Sequence, residues 1–161
     1  MAKIEREPLE IPTSPHAIIF DWKRTLYDPD SKTLIDGANE LLETLSQTGA
    51  PLFLIGKGEE EMYREADRLG VSRYFDGIRF VEGEKDPAYF APYIDRFNPS
   101  ATYVIGDRTR SELQAGKSLG ATTIWVRQGK FAGELPTPET SPDHEISSLT
   151  GLNELLQKII A

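Results

Sequence analysis

The stretch HAIIFDWKRTLYDPD, His16 to Asp30, runs a four-residue apolar segment, Ala17 to Phe20, directly into Asp21, and sets Lys23 and Arg24 ahead of Thr25-Leu26. A short, wholly apolar run reads as a strand buried on both faces, as in parallel sheets. A carboxylate at its end belongs to the sheet edge where open α/β proteins collect their ligands. The same pattern recurs outward along the chain. LFLI (Leu52 to Ile55), GIRFV (Gly77 to Val81), TYVI (Thr102 to Ile105) and TTIWV (Thr122 to Val126) are further strand candidates, and Asp107 follows TYVIG as Asp21 follows AIIF.

Amphipathic segments alternate with these strands: Ala38 to Gln47, Glu59 to Leu69, Ala88 to Arg96 and Ser111 to Leu119. Gly49, Gly70, Asn98-Pro99 and Gly120 close them. GELPTPETSPD, Gly133 to Asp143, reads as a surface loop, and SLTGLNELLQKIIA as a last helix with Leu149, Leu152, Leu155, Leu156 and Ile159 on one side. Alternation of strand and helix predicts an α/β fold, a three-layer Rossmann-like parallel β-sheet flanked by helices. Residues 1–15, charged and interrupted by Pro8, Pro12 and Pro15, are expected to form an extended lead-in, and 16–161 a single domain, since 161 residues suit one core better than two.

Composition removes whole classes. The formal net charge of -8, from 26 acidic and 18 basic residues, disfavours nucleic acid and anionic membrane as general partners. The absence of cysteine excludes disulfides, zinc-thiolate sites and thiol catalysis. With no apolar run long enough for a signal peptide or a membrane span, a cytoplasmic protein is expected. His16 and His144 lack partners at metal-ligand spacing, and Trp22 and Trp125 are assigned to core or rim packing. Arg108 and Arg110 flank Asp107 and suit either an anion or ordinary surface pairs.

Asp21 and Asp107, each at the end of its own strand, suit a hard cation such as magnesium. Glu112, five residues beyond Asp107, suits the start of a helix. The ordered set resembles the haloacid dehalogenase-like (HAD) hydrolase superfamily, mainly phosphatases. IIFDWKRTL is similar to its first motif, Asp-x-Asp-x-Thr-Leu after a hydrophobic strand. LFLIGKG is similar to the second, with Gly56 where Ser or Thr is usual. EKDPAYF offers Lys85 as the third-motif lysine, and IGDRTRSELQAGKSLG matches the fourth at Asp107 and Glu112.

The resemblance implies roles. Asp21 is the nucleophile; Asp21, Asp107 and the backbone carbonyl of Lys23 hold Mg2+; Gly56, Lys57 and Lys85 bind phosphate; Thr25 and Glu112 support the site. Lys23 stands where the family has its acid/base aspartate, and Arg24 where it has glycine. A lysine near its reference pKa of about 10.4 is a poor base at neutral pH. Gly56 leaves phosphate only a backbone N–H at a helix start, while Glu59, Glu60 and Glu61 repel anions.

With Lys23 and Lys85 opposite Asp21 and Asp107, the formal charge is balanced. A Lys23 ammonium within roughly 4 Å of either carboxylate would contribute about 4 kcal/mol at an effective dielectric of 20, so weak magnesium binding is expected. The short intervals after Thr25-Leu26 and around Glu59 to Leu69 leave no room for a large cap, which disfavours a metal-free dehalogenase. Two readings follow: a phosphatase-type hydrolase acting on a phosphorylated substrate, macromolecular substrates included, or a catalytically silent domain that binds an anion or a protein partner. An oligomer that covers the site is compatible with either.

Overall fold

A computed structural model describes residues 16–160; the lead-in expected for 1–15 lies outside the described residues. Six parallel strands form the central sheet: β1 (Ala17–Phe20), β4 (Leu52–Lys57), β5 (Gly77–Val81), β6 (Thr102–Gly106), β7 (Thr122–Val126) and β8 (His144–Ile146), in the order β5-β4-β1-β6-β7-β8. β1 lies between β4 and β6, with Phe20 opposite Leu54 on one side and Ile105 on the other. A two-stranded hairpin, β2 (Tyr27–Asp28) with β3 (Thr33–Leu34), follows β1.

Strand alternation divides the core between two faces. Ile18, Phe20, Leu52 and Leu54 join the leucines of α1 (Ala38–Ser46) and α5 (Leu149–Ile160), together with Met62 and Ala66 of α2 (Glu60–Arg68). Ala17, Ile19, Phe53 and Ile55 turn the other way onto Phe90 and Ile94 of α3 (Pro87–Ile94) and onto Leu113 and Ala115 at α4 (Gln114–Ser118). Both faces of the sheet are therefore covered, which is why its inner strands read as unbroken apolar runs.

β1, β5 and β7 match the sequence reading residue for residue. β8 is an addition: His144, next to the expected surface loop, pairs with Ile124 at the sheet edge. The fourth helix also differs. Thr109–Leu113 forms a π-helical turn before the chain settles into α4.

Candidate active site

The ladder between β1 and β6 brings the two strand-end aspartates together. Asp21 donates its N–H to the Ile105 carbonyl at 3.0 Å, two residues short of Asp107. The chain then coils tightly, the N–H groups of Thr25, Leu26 and Tyr27 all donating to the Trp22 carbonyl at 3.2, 2.9 and 3.0 Å. This turn buries Thr25 beneath both carboxylates. Its hydroxyl donates to Asp21 Oδ2 at 2.9 Å and lies 3.4 Å from Asp107 Oδ1. The turn also holds Arg24 at φ 66, a left-handed conformation that explains why glycine suits this position.

Glu112 enters from the π-helical turn. Its Oε2 accepts the Arg108 N–H at 2.9 Å, in the manner of a capping carboxylate, while its Oε1 accepts from Lys85 Nζ at 2.9 Å. Gly106 makes this possible, because a Cβ there would stand 2.0 Å from Glu112 Oε2. Lys85, delivered from the loop between β5 and α3, also donates to Asp21 Oδ1. Asp21, Asp107 and Glu112 are each no more than 4% exposed.

Three carboxylates around one ammonium set the electrostatics. Burial, then Asp21 and Glu112, push the Asp107 carboxyl up to about 10. Burial and Asp21 also raise the Glu112 carboxyl. For Lys85, burial works against the charge, but Asp21 and Glu112 outweigh it and hold the pKa above the usual lysine value.

A cavity of about 300 Å³ opens over the cluster, lined by Asp21, Lys23, Lys57, Lys85, Asp107 and Glu112 among others. Of the residues singled out in the sequence, Thr25 lies buried beneath it and Gly56 is displaced from it. Gly56 is inside β4, opposite Phe80, and not at a helix start, since α2 begins at Glu60. A Cβ there would meet Trp22 Cβ at 2.6 Å and Phe80 Cε1 at 3.0 Å, so the space beside it is filled by aromatic packing. The balanced-charge expectation also changes. Lys23 lines the cavity but makes no ion pair among the described residues, whereas Lys85 pairs with Asp21 and Glu112. The inner cluster carries three carboxylates to one ammonium, and Lys23 stands apart from it.

Several supporting residues were not singled out. Glu134 accepts from Arg108 Nε and Nη2 at 3.1 and 3.0 Å and from Thr109 N and Oγ1 at 2.7 and 3.0 Å, anchoring the loop after β7 to the Asp107 loop. That loop sets Phe131 at the cavity wall, with the Arg108 guanidinium 4.0 Å from its ring centroid. Only its Pro- and Thr-rich composition marked the Glu134 segment, and composition carries no contact information. Trp125, read as a packing residue, is buried and donates Nε1 to the Asp107 carbonyl at 3.0 Å. Arg108 and Arg110 both reach the cavity.

Residues 54–152 match the HAD-hydrolase-like family. The chain belongs to that family. Among curated proteins it is 27% identical over 131 residues to glyceraldehyde 3-phosphate phosphatase of Pyrococcus furiosus, covering 77% of this chain and 55% of the relative. It is 25% identical over 130 residues to phospholysine phosphohistidine inorganic pyrophosphate phosphatase of Xenopus laevis, covering 73% and 48%. The chain thus spans about half the length of these curated relatives. Among solved structures, the HAD-hydrolase YfnB of Bacillus subtilis, bound to magnesium, superposes with a TM-score of 0.66 at 25% identity over 78% of this chain and 57% of that one. A HAD-superfamily hydrolase from Ehrlichia chaffeensis shares the fold at a TM-score of 0.73 and 16% identity, over 94% and 100% of the two chains.

HAD phosphatases generally use magnesium, and the donor set here fits it. Asp21, Asp107 and Glu112 offer oxygens within 4.8 Å of one another, and Asp107 Oδ2 is buried without a hydrogen-bond partner. A hard cation with oxygen ligands is the group such a cluster suits.

Proposed function

We propose that this chain is a phosphatase-type HAD hydrolase, in which Asp21 attacks the phosphorus of a phosphorylated substrate and the site lacks the usual proton donor. The supporting observation is the convergence of Asp21, Asp107, Glu112 and Lys85 at the carboxyl ends of β1 and β6, with Thr25 beneath. Thr25 fixes Asp21 Oδ2, leaving Oδ1, beside Lys85, as the attacking oxygen. An aspartyl–phosphorus bond forms as the bond to the leaving oxygen breaks, and water then hydrolyses the acyl phosphate. Lys85 turns from Asp21 to a phosphoryl oxygen as substrate enters, with Lys57 at the cavity wall as a further cation.

Asp21, Asp107 and the Lys23 carbonyl would hold magnesium, which supplies positive charge against the transferring group. Glu112 keeps Lys85 in place. The Lys23 ammonium at the cavity lowers the local negative potential and weakens metal binding. The domain extends over 16–161 without a large cap, a reading supported by the hairpin alone filling the space between Leu26 and α1. A second reading, a silent domain that binds an anion or a protein, is favoured by Lys23 at the acid/base position and by the filled space beside Gly56.

The test is magnesium-dependent release of phosphate from an aryl and an alkyl phosphate. The native chain is expected to turn over the aryl ester slowly and the alkyl ester barely. Lys23→Asp should raise the alkyl rate by about 10²-fold or more, because a positioned acid contributes about 10² to 10⁴. No turnover of either ester by both proteins would favour the silent domain.

A further inference from the structure

Around the acidic floor the cavity mouth has the opposite character. Lys23, Arg24, Lys57, Arg108 and Arg110 line it, against Glu84 as the one rim carboxylate, in a chain whose net charge is -8. Arg108 is committed to Glu134 and to the Phe131 ring. Lys23, Arg24, Lys57 and Arg110 make no ion pair among the described residues. Arg24 is held at the rim at a cost, since φ 66 disfavours any residue with a Cβ, and its guanidinium lies 5.8 Å from the Phe131 centroid.

One phosphoryl group on Asp21, already served by Lys85, Lys57 and a metal, does not call for three further cations. We propose that the rim is a subsite for a second phosphate, carried on the leaving group, and that the substrate class is a small bisphosphate. Arg24 and Arg110 receive the second phosphate; guanidinium forks suit phosphate oxygens. The cavity of about 300 Å³ is roomy enough for both groups, an ordered water occupying roughly 30 Å³. The proposal rests on Asp21 as the phosphoryl site, and the experiment separates the two.

Calorimetry in magnesium would compare 1,3-propanediol bisphosphate with propyl phosphate on the catalytically inert Asp21→Asn chain, and phosphate release from an aryl phosphate would be followed on the native chain. Tenfold or greater preference for the bisphosphate is expected in binding, each charge-assisted contact being worth about tenfold. Arg24→Gly, which relieves the backbone, together with Arg110→Gln should bring the preference down to about twofold. Lys158→Gln, a single-charge change in α5 outside the cavity, should leave it intact. Equal binding of the two compounds, or a preference untouched by the Arg24 and Arg110 changes, would overturn the subsite. Preference in binding with no release of phosphate from the aryl ester by the native chain would uphold the subsite and count against the phosphatase reading.

Discussion

Two glycines carry opposite messages at the residue scale. Gly106 is small because Glu112 occupies the space its side chain would take. Gly106→Ala must displace Glu112 and with it Lys85, and is expected to cost about 3 kcal/mol in denaturant unfolding and to remove phosphate release. Gly56 stands where the resemblance implies a hydroxyl. Trp22 and Phe80 fill that space, so Gly56→Thr should destabilise the fold by about 1 to 3 kcal/mol with no gain in rate. Site residues were legible to different depths. Asp21 and Asp107 follow from strands ending in carboxylates. Lys85 needed the resemblance, because nothing local distinguishes a buried lysine in a loop. Glu134 left no sequence signal, since its role depends on a loop folding back over the Asp107 turn.

Among the elements, the hairpin after β1 is joined to α2 by a small polar network centred on Glu65 and Arg68. Tyr27 Oη donates to Glu65 Oε1 at 2.7 Å, and Arg68 closes on both Glu65 oxygens at 2.8 Å while its Nη2 donates to the Lys32 carbonyl at 2.7 Å. Arg68, then the Tyr27 hydroxyl, hold the Glu65 carboxyl down to about 2. A depressed carboxylate stabilises the fold above its ordinary pKa of 4.5 and loses that contribution as pH falls toward 2. The melting temperature of Glu65→Gln should therefore lie below that of the native chain at pH 7, with the gap closing between about 4.5 and 2. A gap independent of pH would show that the ionised carboxylate does not hold the hairpin. Neither hairpin strand was legible, because two-residue strands have no periodicity. β8, only His-Glu-Ile, was missed for the same reason. The π-helical turn that aims Glu112 depends on tertiary packing and left only a helix signal in the sequence.

At the scale of the whole molecule, the sheet was readable because its inner strands are buried on both faces, and that demand leaves unbroken apolar runs in the sequence. Chemistry at the carboxyl edge is set by what those strands deliver, and on the proposed mechanism they deliver a nucleophile without its acid. In that mechanism the same group would activate water in the second half of the reaction, so the covalent intermediate should be long-lived. Intact-protein and peptide mass measurement after incubation with magnesium and acetyl phosphate, whose leaving group needs no proton, tests this most directly. A long-lived phosphoryl group on Asp21, lost from Asp21→Asn and short-lived in Lys23→Asp, is the predicted result. No phosphorylation of the native chain, or phosphorylation that survives Asp21→Asn, would contradict it.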